Sequence, residues 1–402
     1  MSETAAAVTE SAPKHNILTI PPELTERIAQ CVDSEDLFNL RQTSRETEAR
    51  ILRTYGQAHF SCRNVLMCSI ADLHLLLKIA ESPLWRFLEE ITLIVDNLPN
   101  PDSRDTTPRY DDLEARVSDI YGPEIAFLRR TQAQRLNEEY HKQEWSGELS
   151  TLRLTVAFCH LRHKKLHPII EIADSKTRCR QSPTYRALVT ETGVDLQCTL
   201  KHVTRYSNLI FDALVVSGLQ VRELRSRLSS VGVPLYEMAR HEQSRLRMSA
   251  AFAHLRTLDV LLEIGFENAE GDAARFVECL AHASQLKHLR IRTAAPEDQC
   301  EPGNPFLRHV FPALTSVDFA NWTFECRELI YFLKLQPTLE WVRLWCCRLR
   351  LCERFAHLEG LENEELGYEV ERMSGISTVY VDNCMVGEHE GTEGDEDDYA
   401  YQ

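Results

Sequence analysis

Four side chains with metal-ligand chemistry crowd one stretch of this chain: Cys159, His160, His163 and His167 in FCHLRHKKLH. His163 and His167 stand four apart, a spacing that puts two imidazoles on one helix face, where they can ligate zinc. No Glu lies between them, and Cys179 follows Cys159 without a paired neighbour. The stretch therefore reads as packed or solvated histidines on a basic segment. Cys346, Cys347 and Cys352 in WCCRLRLC contain no Cys-x-x-Cys pair and read as buried thiols of a last strand. A phosphate loop, a dinucleotide fingerprint, a nucleophile elbow and a deaminase motif are all absent. Neither a metal nor another cofactor is expected, and the chemistry to look for is binding.

The charge balance narrows the partner. The chain has 402 residues and a net charge of −16, of which seven acids without Lys or Arg sit in GEHEGTEGDEDDYAYQ, leaving about −9 elsewhere. Duplex nucleic-acid binders usually show a basic face, so nucleic acid is not an expected partner. No apolar run approaches the ~20 residues that span a bilayer, and the first residues lack the basic start and apolar block of a signal peptide. Cytosol or nucleus is expected, with the thirteen cysteines reduced.

The elements that must position a binding surface begin at LTIPPELTERIAQCVDSEDLFNLRQTSR, after a polar lead-in, residues 1–16, that reads as disordered. Pro22 suits the first turn of a helix whose apolar stripe is Leu24, Ile28, Cys31 and Val32. Asp33 or Ser34 caps a second helix with Leu37 and Leu40 inward. Thr43 and Glu46 have capping-box spacing for a third, with Ala49, Leu52 and Tyr55 inward. Three short helices bury little apolar area alone and present apolar surface to a partner.

This order of signals resembles the F-box. Its opening Leu-Pro-Glu-Leu is similar to Leu18, Pro21 or Pro22, Glu23 and Leu24. Its next apolar positions match Ile28 and Val32, its Asp-x-x-Asp-Leu element matches Asp33, Asp36 and Leu37, and its basic-polar close matches Leu40 to Arg45. The third helix here reads TSRET, where many F-boxes carry Cys and Trp. The resemblance covers residues 17–58 and implies a surface that docks on a Skp-type linker protein, formed by Leu18, Pro21, Pro22, Glu23, Leu24, Ile28, Val32, Asp36, Leu37 and Leu40. Through the linker it implies a cullin scaffold.

The rest of the chain repeats itself. FVECLAHASQLKHLRIR (276–292) superposes on LIYFLKLQPTLEWVRLW (329–345), with Leu286 on Leu339, Leu289 on Val342 and Ile291 on Leu344. FDALVVSGLQVRELRSR (211–227) joins them through Val221 and Leu224. Each copy is a helical stripe, a polar break, then L-x-x-L-x-h, whose end alternates as a half-buried strand does. The strand signature recurs at LRTLDV, LTSVDF, LSTLRL (149–154) and, more loosely, FLEEITLIV (87–95). From Leu255 the anchors fall 31, 28 and 25 residues apart, at Leu286, Leu314 and Leu339, close to a leucine-rich-repeat period. No copy shows the buried Asn that closes a standard repeat. The pattern resembles the irregular leucine-rich repeats of fungal F-box proteins.

The expected fold is α/β: a three-helix F-box (17–58), then an irregular leucine-rich-repeat-like solenoid of strand–helix units (59–355). Loops are expected near 97–112 and 173–186, a charged helix at 124–144, a C-terminal extension at 356–386 and an acidic disordered tail at 387–402. The function implied is a non-catalytic adaptor of a Skp-cullin-F-box ubiquitin ligase, holding a target protein on outward strand residues such as His288, Arg290, Trp341 and Arg343. The alternative is a repeat-type binding or scaffold protein outside a ligase, whose N-terminal hairpin caps the array.

Overall fold

A computed structural model describes residues 20–96, 148–178, 198–229, 232–234, 242–263, 269–280, 282–293 and 307–387, with isolated positions between them. Residues 1–19 with Leu18, the loop at 97–112, most of the helix expected at 124–144, Cys179 and residues 388–402 lie outside the described residues. The chain divides into two compact units.

The first unit holds residues 1–62 and 83–89. Its helices are α1 (Pro22–Cys31), α2 (Ser34–Gln42) and α3 (Arg45–Phe60), with a 3-10 turn at Pro83–Phe87. Pro22 opens α1, and the Pro21 carbonyl accepts from the Leu24 and Thr25 amides at 3.1 and 3.0 Å. Asp33 caps α2 through the Asp36 amide at 2.9 Å. The cap of α3 is Ser44, which accepts from the Thr47 amide at 3.0 Å, one residue beyond the expected Thr43. Ala29, Leu37, Ile51 and Tyr55 form the core, with Val32, Leu40 and Phe60 packed against it. Tyr55 is lidded by the Arg41 guanidinium, 4.7 Å above its ring and bonded to Glu48 at 2.8 Å. Gly56 is buried on α3 because the Phe87 ring lies against it.

The second unit, residues 63–82 and 90–402, carries the sheet. Its elements are β1 (Cys62–Leu66), α4 (Ile70–Glu81), β2 (Glu90–Ile94), α5 (Glu148–His163), β3 (Ile169–Ala173), the single turn α6 (Ser175–Arg178), α7 (Leu200–Ser217) and β4 (Glu223–Arg227). Next come β5 (Val233–Pro234), α8 (Glu242–Ala251), β6 (Thr257–Glu263), α9 (Ala269–Leu280), β7 (His288–Thr293), β8 (Ser316–Ala320) and β9 (Thr323–Glu325). Last are α10 (Cys326–Leu335), β10 (Trp341–Trp345), β11 (Arg348–Arg350), α11 (Asn363–Ser374), β12 (Thr378–Asp382) and β13 (Met385–Gly387). The strands join one large sheet in the order β1-β2-β3-β4-β6-β7-β8-β10-β12, with β5 beside β6, while β9, β11 and β13 make a three-stranded sheet. The pairs from β2 to β12 are parallel.

The parallel register aligns one buried residue per strand: Ile91, Ile170, Leu224, Leu258, Leu289, Val317, Val342 and Val379. Full burial of one such side chain is worth about 1.5–3 kcal/mol, so this row is a main source of the unit's stability. The helices pack neighbour to neighbour in chain order, α4 on α5, α5 on α7, α7 on α8, α8 on α9 and α10 on α11. Helix α7 ends at Gly218, left-handed at φ 64°, with Arg162 donating to the Ser217 carbonyl at 3.0 Å.

Three left-handed corners repeat at the C-terminal ends of strands. Asn321 (φ 61°), Cys346 (φ 50°) and Asn383 (φ 51°) follow β8, β10 and β12 and turn the chain into β9, β11 and β13. The Asn321 amide donates to the Trp345 carbonyl at 3.0 Å and the Cys346 amide to that of Asp382 at 2.9 Å, tying the first two corners to the next strand of the large sheet. Asn321 also donates its side-chain amide to the Thr293 carbonyl at 3.0 Å. Asn321 is half-buried and Asn383 exposed, so neither is the buried Asn of a standard repeat.

Other expectations need correcting. The architecture shown is α/β with one large parallel sheet, not a solenoid of constant repeat: strands start at 169, 223, 257, 288, 316, 341 and 378. LSTLRL is helical, because Leu154, Ala157, Phe158 and Leu161 continue it with a buried 3.6-residue stripe. WCCRLRLC is not the last strand, since β12 from the supposed extension pairs with β10. In the loop expected at 173–186, Ala173 ends β3 and Ser175–Arg178 form a helical turn.

Gly56→Ala tests the close approach of Phe87. Helix propensity favours Ala by roughly 1 kcal/mol, whereas a methyl forced into a packed ring costs about 1–3 kcal/mol. The variant should unfold at lower urea than the parent, by about 1 kcal/mol. A stabilised variant would show that Phe87 moves freely.

Candidate functional site

The residues opposite the aliphatic row point to the other face of the sheet, and their register follows from the same pairing. Read across the strands, the middle position is Thr92, Glu171, Arg225, Asp259, Arg290, Asp318, Arg343 and Tyr380. From β3 to β10 acid and base alternate. Adjacent strands lie about 4.8 Å apart, so opposite charges in register attract where like charges would repel.

Ion pairs join the middle of the ladder. Arg290 binds Asp318 at 2.9 Å and reaches Asp259 at 3.9 Å. Asp259 also takes Arg227 at 2.9 Å and Arg292 at 3.1 Å. Arg227 lies 4.0 Å from the enclosed Glu171 carboxylate, and Arg225 pairs with Glu223 and with Glu90 at 3.7 Å. The acids are the buried members, and the guanidiniums are half-buried above them. Burial raises the Asp318 pKa, with Arg290 and Arg343 pulling against it. Burial likewise lowers that of Arg292, opposed by Asp259 and reinforced by Arg290 and Arg227.

The ladder ends in aromatics. Trp341 and Trp345 flank Arg343 on β10, and Tyr380 is its partner on β12. Arg343 lies 5.8 Å from the Trp345 ring centre, and the Trp341 and Tyr380 rings are 6.0 Å apart. Trp345 and Tyr380 are 40% and 56% exposed, so this end of the face is open. Of the residues expected to contact a target, Arg290 is held by two acids, His288 is exposed with Nδ1 2.8 Å from the Ser316 hydroxyl, and Trp341 and Arg343 belong to this aromatic group.

The three-helix unit presents a second surface. Leu24, Ile28 and Phe38 are 47%, 41% and 44% exposed, and Pro21, Pro22, Glu23 and Asp36 are exposed beside them in sequence. Leu37, expected at the docking surface, is core at 2% exposure, and Val32 and Leu40 pack on that core. Phe38 takes the outward place that sequence periodicity had not assigned.

The histidine segment does not gather. Helix α5 ends at His163, and His167 lies beyond it with its ring 4.5 Å from His254. His160 lies 3.8 Å from Glu81. Burial and then His254 hold the His167 pKa down. Among the described residues no group of three or more His, Cys, Asp and Glu is placed to hold a metal ion, and no helix is long and apolar enough to cross a membrane. A cavity of about 690 Å³ lies at the C-terminal ends of α5 and α7, lined by Arg162, Lys165, His167 and Arg247 over Val215 and Val216.

Two buried carboxylates anchor the strand ends at β2 and β3. Asp96 accepts from the Ser175 amide and, at 3.1 Å, from its hydroxyl, while Asp174 accepts from the Thr177 and Ser229 amides at 2.9 and 2.6 Å. Burial pushes Asp96 up to about 6, against the Ser175 bonds.

Comparison with known proteins finds neither a family model nor a curated protein that matches this chain.

Asp259→Ala leaves Arg227, Arg290 and Arg292 without their shared acid and should cost about 3 kcal/mol of unfolding free energy in urea. Adding Arg292→Leu should recover part of it, and no recovery would show that the acid acts alone. Because native Asp96 holds its proton above its usual 3.8, it favours the fold at low pH, an advantage lost as pH rises from about 4 to about 6. Asp96→Asn still accepts from the Ser175 amide and donates to its hydroxyl, as the protonated acid would. It should exceed wild type by on the order of 2–3 kcal/mol at pH 7, with the gap closing below pH 4. A gap that does not change with pH would remove that account.

Proposed function

We propose that this chain is a non-catalytic recognition adaptor. Its α1–α3 unit would act as an F-box that docks on a Skp-type linker and so on a cullin scaffold. Its strand–helix units would act as irregular relatives of leucine-rich repeats that hold a target protein. The observation that carries the reading is the exposure of Leu24, Ile28 and Phe38 on a three-helix unit whose own core is already filled by Leu37, Ile51 and Tyr55. Apolar groups left outside a closed core are a common mark of a protein interface. The open sheet face supports the second half of the reading, since exposed Trp, Tyr and Arg are the side chains that dominate interface energetics. Its contribution would be positional: holding a target beside a ubiquitin-loaded enzyme raises the effective concentration of the target's lysines.

Co-purification of the full chain with a Skp-type linker and a cullin tests this. Wild type is expected to capture both, and Leu24→Asp to lose them. A desolvated carboxylate costs several kcal/mol, and about 1.4 kcal/mol is already tenfold in affinity. Circular dichroism must match the parent, and Phe38→Ala gives a second, milder variant. Capture of the linker without the cullin would favour a scaffold outside a ligase. Capture of neither would remove the F-box reading and leave a strand–helix binding protein.

A further inference from the structure

We propose that the open face of β8, β10 and β12 is a docking site for an extended partner segment. That segment would set one Asp or Glu carboxylate beside an apolar or aromatic side chain. This deepens the recognition role above: it rests on reading the sheet face as target-binding, and not on linker capture.

The charge pattern singles out Arg343. Within the ladder Arg225 and Arg290 each have an acid on both neighbouring strands, Glu171 with Asp259 and Asp259 with Asp318. Arg343 has Asp318 on one side and Tyr380 on the other, and Asp318 is already bonded to Arg290 at 2.9 Å. Among the described residues Arg343 makes no ion pair within 4 Å; it lies 5.8 Å from the Trp345 ring centre and feels Asp318 only at longer range. It is a rung of an alternating row whose next acid is missing, and a partner carboxylate completes the row.

The surroundings set what accompanies that carboxylate. Trp341, Trp345 and Tyr380 surround Arg343 on the same face, and Trp345 and Tyr380 are exposed. Aromatic walls exclude water from a charge-assisted hydrogen bond and take up an adjacent apolar side chain. The guanidinium plane offers paired donors in a fork that matches a carboxylate. A phosphate dianion fits less well, because Arg343 stands between Asp318 and the exposed Asp382, the register partner of Trp345. Those acids, with the net charge of −16, also oppose a nucleic-acid strand.

The test uses the full chain and the blocked peptide Gly-Ser-Leu-Glu-Phe-Ser-Gly, with tryptophan emission as the readout. The peptide is expected to shift the emission saturably. Its Gln counterpart should bind at least about tenfold more weakly, a typical loss for one charge-assisted hydrogen bond. Arg343→Gln should show the same loss and Tyr380→Ala a smaller one, both with unchanged thermal unfolding. Equal binding of the Glu and Gln peptides overturns the proposal, as does stronger binding of a phosphoserine counterpart. A tenfold gain on deleting residues 388–402 would place this chain's own acidic segment on the site and overturn the partner assignment. Linker capture, measured on the same preparation, separates the two readings. Peptide binding without linker capture leaves this site standing and removes the adaptor, and the reverse result does the opposite.

Discussion

The row of buried aliphatic side chains from Ile91 to Val379 is the constraint on which the second unit depends. A single strand with one helix cannot bury its own apolar face, so each unit needs the next to cover it. Parallel pairing in register satisfies this by placing one branched or long aliphatic residue beside another on successive strands. Each contributes about 1.5–3 kcal/mol when fully buried, against roughly 0–1 kcal/mol for a typical exposed ion pair. The interior therefore sets the register, and the opposite face inherits it.

That inheritance explains the charge ladder. A shift of one residue in any strand would exchange its two faces, putting Arg or Asp against the helices. With register held by Leu258, Leu289, Val317 and Val342, the residues between them fall into a line whether or not their mutual attraction is large. Alternation of sign keeps that line from being repulsive. It also holds Arg290 and Arg292 over buried acids. The exposed aromatic end differs, because there the row runs out of acids before it runs out of bases.

Strands β6, β7, β8 and β10 were legible because L-x-x-L-x-h marks two buried positions that no helix pattern interrupts. The ladder was legible too, but only as a column. The residue between the apolar pair reads Arg225, Asp259, Arg290, Asp318 and Arg343 when the strands are placed side by side, and along the chain these charges look scattered. LSTLRL failed because its own six residues fit a strand, while Phe158 and Leu161 beyond it decide for a helix. Strand β3, IIEIA, escaped because a run of buried residues has no alternation to detect. Leu37 was legible as an inward residue of its helix and is core, so it cannot also serve the docking surface that the F-box resemblance implied, whereas its exposed neighbour Phe38 had been assigned no place. The Asn corners at 321 and 383 were missed because the equivalent position after β10 is Cys346, which hides the repeat.

Those corners have a bearing on how such a chain can change in size. The first two are bonded to the end of the next strand of the large sheet, and each of the three turns its own segment away from the large sheet into the small one. The connection after it can then be lengthened, shortened or replaced without disturbing the pairing behind. A duplicated or deleted unit near that edge would alter the width of the presented face in steps of about 4.8 Å, one strand at a time. The breadth of the surface is thus separable from its chemistry: the count of units determines the first, and the middle residue of each strand the second.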